Sequence, residues 1–325
     1  MSKMTYIEAI SRAMWDEMTR DPSVFLLGED IGEYGGAFKA TKGFLEHFGP
    51  LRVIDTPLSE AAIIGAATGA ALVGMRPIAE MQFADFVSCG FNQLVNNTAK
   101  IHYRWNIPVP IVVRLPAGGY IHGGPYHSVN PETWFFHTPG FKIVAPSTPG
   151  DAKGLMHAAV RDNNPVLYLE YKYLYRRVKT DVSEEDTIVP IGKGNVKREG
   201  NDVGVITYGS TVHMALEAAE KLASEDNVQA RVVDLRTLLP LDKQLIVDTV
   251  RETGRVLIVH EDNLTGGVGA EVAALIASDA FGDLDAPVRR LAGLDTPVPY
   301  APTLEEYVLP GTQKILAALR ELAGF

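Results

Sequence analysis

Cysteine is almost absent from this chain of 325 residues. Cys89 stands alone, which excludes an intrachain disulfide and any cysteine-built metal cluster. No block of Lys or Arg interrupts a net charge of −10, so nucleic acid is a poor main partner. Long apolar runs are missing too. The most apolar stretch, Ala61–Met75, is shorter than the ~20 residues of a membrane span and is diluted by Gly and Thr. The first ten residues, MSKMTYIEAI, lack the apolar core of a signal peptide. A cytosolic chain is expected, or a mitochondrial-matrix one with its targeting segment removed. There is neither a GxxxxGK[ST] phosphate loop nor a GxGxxG fingerprint, and no solenoid or low-complexity repeat.

What is present has the balance of a folded two-domain protein, with 46% hydrophobic and 22% charged residues. Thr5-x-x-Glu8 forms a capping box, followed by Ile7, Ile10, Met14 and Met18 at helical spacing; Asp21-Pro22 ends that helix. Short apolar runs at Val24–Leu27, Leu51–Ile54, Pro77–Gln82, Val109–Leu115, Lys142–Ala145 and Pro165–Glu170 alternate with helical stretches, including 84–105 and 149–161. Such alternation predicts a parallel sheet with helices on both faces. A charged, Gly/Pro-bearing segment then leads to a second alternating unit. Its strands are expected at Val203–Tyr208, Ala230–Leu235, Val256–Val259 and Val288–Ala292, and its last helix at about 312–322. The predicted organisation is a domain over 1–175, a linker over 176–201 and a domain over 202–325, both domains α/β and doubly wound.

Asp55–Met81 organises the first domain. Ser59 reads as an N-cap and Glu60 as a first-turn acid, close to the positive end of the helix macrodipole. The residues after it are apolar all round, which predicts a helix buried on every side. Gly65-x-x-x-Gly69 would let another backbone approach closely. GEDIGEYGGAF (28–38) follows a strand end, either as a flexible turn or as a ligand loop, since ligands bind at the carboxyl ends of such strands. Gln82 and Phe86 follow another strand end. An amide beside an aromatic ring suits a heteroaromatic ligand, and equally an ordinary core. PAGGYIHGGPYHSVNPE (116–132) holds four glycines, three prolines and two histidines. His122 and His127 lack a zinc spacing. His127 is the sharper acid/base or anion-stabilising candidate, while His122 reads as a surface histidine. Asp162 and Asn164 fit Asx turns.

LLGEDIGEYGGAF, RVIDTPLSE, AEMQFADF, PYHS, GFKIVAPSTP, DAKGL, RDNNPV and LDTPVPYA, in that order, resemble the beta subunit of the decarboxylating component of 2-oxo acid dehydrogenase complexes. The resemblance runs from about Thr5 to the C-terminus. It implies a thiamine diphosphate pyrimidine-binding domain followed by a transketolase C-terminal-like domain, working in an α2β2 heterotetramer. It further implies that Glu60 hydrogen-bonds N1′ of the aminopyrimidine, with Leu58, Gln82 and Phe86 lining it and Glu29 in a supporting proton relay. Many relatives have Tyr where this chain has Phe86, so stacking is expected without a hydroxyl contact. His127 matches the histidine that assists reductive acylation of lipoamide. Ile111, Ala159, Val160, Asp162 and Asn164 match positions holding a potassium ion, largely through carbonyl oxygens. Asp295 and Phe325 match positions linked to docking on the peripheral subunit-binding domain of the lipoyl acyltransferase core. The Gly-Asp-Gly magnesium–diphosphate motif is missing, so the resemblance places Mg²⁺ and the diphosphate mainly on an alpha subunit. MQFADF and LYRR favour a branched-chain 2-oxo acid as substrate. The rivals are a pyruvate or acetoin dehydrogenase beta subunit, the C-terminal half of a split transketolase, and an electron-transfer or scaffolding subunit.

Overall fold

The computed structural model describes residues 1–325, which form two compact units. Unit 1 is Met1–Ala117 with Trp134–Ile191; unit 2 is Gly118–Thr133 with Gly192–Phe325.

Unit 1 begins with β1 (Ser2–Thr5) and α1 (Tyr6–Arg20), then β2 (Val24–Gly28), α2 (Phe44–Phe48), β3 (Val53–Asp55), α3 (Glu60–Leu72) and β4 (Arg76–Glu80). It continues with α4 (Ala99–Trp105), β5 (Val112–Ala117), α5 (Glu132–Phe136), at which the chain returns from unit 2, β6 (Lys142–Val144), α6 (Pro149–Arg161), β7 (Val166–Tyr171) and β8 (Lys179–Val182). The capping box forms as expected: Thr5 Oγ1 accepts from the Glu8 amide and the Glu8 carboxylate from the Thr5 amide. Behind it Ile7, Ile10, Met14 and Met18 are buried, and α1 packs on α6. Each such side chain contributes roughly 1.5–3 kcal/mol by leaving water. Six strands of unit 1 lie side by side in the order β6-β7-β5-β4-β2-β3, all parallel. β1 and β8 pair antiparallel apart from them. Arg114 on β5 is buried between Glu80 of β4 and Glu170 of β7, so the sheet's central charge is paired on both sides.

Two expectations need correction. The stretch 84–105 is not one helix. It runs as a 3-10 helix (Ala84–Gly90), a π-helix (Gln93–Thr98) and α4, because apolar periodicity does not distinguish helical pitches. Nor is α3 buried on every side. Ile63, Ile64, Ala67, Thr68 and Ala71 are buried, while Ala62, Gly65, Ala66, Gly69 and Leu72 are exposed. Composition set its apolar character, but one face finds no cover within its own chain.

Unit 2 follows with β9 (Asn195–Arg198), β10 (Val203–Thr207), α7 (Thr211–Asp226), β11 (Ala230–Asp234), β12 (Thr237–Leu239), α8 (Lys243–Thr253), β13 (Val256–Asn263), α9 (Val268–Asp279), β14 (Arg289–Gly293), α10 (Pro302–Val308) and α11 (Thr312–Ala323). Its five-stranded sheet runs β14-β13-β10-β11-β9 and is parallel except for β9. The segment expected as linker thus carries two strands, β8 in unit 1 and β9 in unit 2. No helix is long and apolar enough to cross a membrane.

Candidate active site

In a doubly wound sheet the crevice opens where the strand order reverses, at the carboxyl ends of the strands. In unit 1 the chain steps from β2 outward to β3 and then crosses back to β4 on the other side of β2. Three neighbouring carboxyl ends therefore open together. β3 leads to Leu58 and Glu60, β2 to Glu29 and Asp30, and β4 to Gln82 and Phe86.

The Gly-rich loop after β2 is ordered rather than a loose turn. The Asp55 carboxylate accepts from the Gly32 amide at 2.6 Å and the Glu33 amide at 3.4 Å, and Thr41 donates to the Ile31 carbonyl at 2.6 Å. A Cβ at Gly32 would lie 2.4 Å from that carboxylate, so the close approach requires glycine. Asp30 sits in the left-handed region at φ 57°, a conformation Asp tolerates better than most residues. There its carboxylate accepts from the Gln82 amide at 3.2 Å, joining the ends of β2 and β4.

Glu60 is the first residue of α3, half-buried. Ser59 holds the N-cap position, but its hydroxyl donates to the Pro57 carbonyl instead of capping the helix. The helix's first amides thus lack the usual side-chain acceptor. Glu29 is buried, and neither of its oxygens completes a hydrogen bond. Burial pushes its carboxyl above the usual range, the nearby charges of Glu60 and Asp30 push it further, and the approach of the Ser59 amide offsets only part of this. Phe86 lies edge-on to Phe83 at 5.9 Å, and Leu58 is 80% exposed. The three strand ends thus carry two neighbouring carboxyl groups, one of them raised above its usual range, together with an amide, an aromatic ring and an apolar side chain. That donor set fits the edge and face of an aminopyrimidine.

The other expected residues lie elsewhere. The potassium positions gather around the turn between α6 and β7, but a guanidinium is already there. Arg76 donates to the carbonyls of Val160 at 2.8 Å and Asp162 at 3.0 Å. The Ile111 carbonyl accepts from the Val166 amide and that of Ala159 from the Asp162 amide. The Asp162 carboxylate accepts from the Asn164 amide at 2.8 Å, the Asx turn expected there, and pairs with Lys142. A potassium ion would have to share the Val160 and Asp162 carbonyls with Arg76. Glu17, His157 and Asp186 also converge in unit 1. Glu17, however, accepts from His157, Arg161 and Arg20, and two guanidinium groups disfavour a metal.

His127 lies in the segment Gly118–Thr133, which belongs to unit 2, and its amide donates to the Gly124 carbonyl. His122 is exposed, with its ring 2.7 Å from Glu305. Asp295 is exposed and accepts from the Thr265 amide at 3.0 Å and hydroxyl at 2.6 Å, which hold its carboxyl below the usual range. Phe325 is exposed as well. Sequence reasoning gave no role to Glu132, which lies in the His127 segment, and missed Glu261, Asp262 and Glu305, which are tied to that segment. One signal was present: His260-Glu261-Asp262 closes an apolar strand, as Glu29-Asp30 does.

The chain matches two family models: the transketolase pyrimidine-binding domain over residues 2–178 and the transketolase C-terminal domain over 192–315. It is 56% identical to the 2-oxoisovalerate dehydrogenase subunit beta of Bacillus subtilis over 100% of both chains. It is 42% identical to the pyruvate dehydrogenase E1 component subunit beta of Rickettsia bellii over 98% of each. Among solved structures it resembles a split-gene transketolase, described as an inactive beta4 tetramer, with a TM-score of 0.83 over 99% of each chain. At 24% identity that likeness speaks to the fold alone.

Proposed function

This chain belongs to the beta-subunit family of 2-oxo acid dehydrogenases, and from that premise we propose that it supplies the pyrimidine half of a thiamine diphosphate site for the oxidative decarboxylation of branched-chain 2-oxo acids. The observation supporting this reading is that Glu29, Glu60, Gln82 and Phe86 follow three neighbouring strand ends at the strand-order reversal of unit 1, with Glu60 close enough to act on Glu29 and Gln82 bonded to Asp30. The preference for branched-chain acids follows the 56% identity to a 2-oxoisovalerate subunit against 42% to a pyruvate subunit.

When bound, thiamine diphosphate supplies the electron sink for loss of CO₂. The chain's own residues prepare it. Glu60, the first residue of α3, would hydrogen-bond N1′ of the pyrimidine. Glu29, its carboxyl raised by burial and by the nearby charges of Glu60 and Asp30, would support Glu60 there. Gln82 orients the ring edge, and Phe86 and Leu58 cover its faces and exclude water. His127 assists acyl transfer to lipoamide. Mg²⁺ and the diphosphate fall to an alpha subunit in an α2β2 assembly, because this chain offers no motif for them. Asp295 and Phe325 contact the peripheral subunit-binding domain of the acyltransferase core. Potassium, if bound, shares carbonyls with Arg76.

Co-expression with an alpha subunit, followed by assay with thiamine diphosphate, Mg²⁺ and a panel of 2-oxo acids, tests the proposal. Turnover of branched-chain acids only when both chains are present is the expected result. Robust decarboxylation by this chain alone would overturn the half-site reading. A clear preference for pyruvate would move the substrate assignment.

A further inference from the structure

Unit 2 has its own strand-order reversal. The chain steps from β10 to β11 on one side and returns to β13 on the other, so a crevice is expected at the carboxyl ends of β10 and β13. That crevice is filled from within by Gly118–Thr133. From the end of β13, Glu261 accepts from the Gly119 amide and from the hydroxyl of Ser210, and Asp262 accepts from the Thr133 hydroxyl. Just past β10, Tyr208 donates to Glu132 at 2.9 Å. From α10, the buried Glu305 accepts from the His122 amide at 3.3 Å and pairs with its ring.

The backbone of the segment rests directly on these carboxylates. A Cβ at Gly118 would lie 2.7 Å from Glu261 Oε1. One at Gly119 would lie 2.7 Å from Leu309 Cδ1 and 3.3 Å from Glu305 Oε1. Tyr120 and His122 have φ of 60° and 58°, in the left-handed region that side chains with a Cβ rarely adopt. Strain of this kind persists only where surrounding contacts over-determine it. Both residues are so held: the Tyr120 hydroxyl donates to the Pro310 carbonyl, and His122 is tied at its amide and its ring.

We propose that Glu261 and Glu305 are positioning residues that clamp Gly118–Thr133 in one strained conformation and so set His127 for acyl transfer. The proposal rests on the role given above to His127. Both carboxylates act through the backbone amides of the segment, so their loss loosens it without removing any group of the pyrimidine half-site.

The test uses the co-expressed holoenzyme with Glu261→Leu and Glu305→Leu, which remove the acceptors and keep bulk. Glu261→Gln and Glu305→Gln keep an acceptor oxygen and serve as rescue. Hydrogen exchange is read at the Gly119 and His122 amides. Activity is read as the ratio of acyl transfer to a lipoyl domain over decarboxylation with an artificial electron acceptor. The leucine variants should lose about 10- to 100-fold of amide protection and a similar factor in the ratio, the range expected when a bond to a charged acceptor is removed. The glutamine variants should stay within about threefold of wild type, since the acceptor survives. Unchanged exchange in the leucine variants would overturn the clamp. Lost protection with an unchanged ratio, where His127→Ala does lower it, would overturn the positioning role. An unchanged ratio in His127→Ala would remove the role of His127 and this proposal with it. Should a leucine variant fail to fold, exchange is read in the wild-type holoenzyme, where the Gly119 and His122 amides must be protected; exchange at the rate of an open chain overturns the clamp.

Discussion

At the carboxyl ends of β2 and β4 the buried Glu29 carries two oxygens that complete no hydrogen bond, whereas at those of β10 and β13 Glu261 and Asp262 are spent on the protein's own loop. Both crevices arise from the same winding rule, and both are lined by acids at or just past the end of a strand. The difference is what neutralises the acids. In unit 2 backbone amides and hydroxyls do it, and the result is a fastening. In unit 1 the loop after β2 folds on Asp55 and leaves Glu29 and Glu60 to each other. A buried carboxyl without a hydrogen-bond partner is costly, and a group that hydrogen-bonds to it recovers that cost.

The sharpest way to break this comparison is Glu60→Gln. A group that only lined a fastening would tolerate the change. As the acid/base group of an open site, Glu60 should cost about 10²- to 10⁴-fold in turnover. Retention of more than about a tenth of the C2-proton exchange of bound thiamine diphosphate, against that range, would end the assignment. His127→Ala comes next. Transfer to a lipoyl domain should fall by about 10²-fold, at the low end for a lost acid/base group, with decarboxylation by an artificial acceptor little changed. Equal losses in the two assays would make the residue structural.

Glu29→Gln sharpens the contrast through pH. The folded-state carboxyl is raised, so the wild-type group favours folding below its unfolded pKa and loses that advantage as pH rises through the folded value. The variant should therefore melt higher than wild type at pH 8, and the gap should close towards pH 4. Equal melting temperatures across that range would mean Glu29 is not held out of water. The smallest effect is expected at Gly69, where a Cβ would meet nothing within 4 Å. Gly69→Ala should stabilise the isolated chain by about 0.5–1 kcal/mol through helix propensity. It should also weaken assembly with an alpha subunit if this exposed face is a subunit contact. Unimpaired assembly, measured by sedimentation, would place the contact elsewhere.

Much of unit 1 was legible in the sequence. The capping box at Thr5–Glu8, the apolar strands and the helix 149–161 are local signals, and the structure places them within a few residues. Glu60 was legible as a first-turn acid for the same reason. What was not legible depends on partners distant in sequence. Hydropathy marked α3 as apolar but could not say whether its cover comes from its own chain. Glu305 meets His122 across 183 positions and Glu261 meets Gly119 across 142, and no short motif encodes either pair. The division between 3-10, π and α geometry within 84–105 lies below the resolution of a periodicity argument.

The passage of Gly118–Thr133 from the middle of unit 1's sequence into unit 2 has a consequence for modularity. A gene cut near residue 192 and joined to the second half of a relative would look like a clean domain exchange. It would instead pair one parent's loop with the other parent's carboxylates. Chimeras of this family should tolerate such a junction only when Gly119, His122, Thr133 and their acceptors Glu261, Asp262 and Glu305 match across the parents. Residues 118–133 are in this sense inherited with the second half of the chain, although they are encoded in the first.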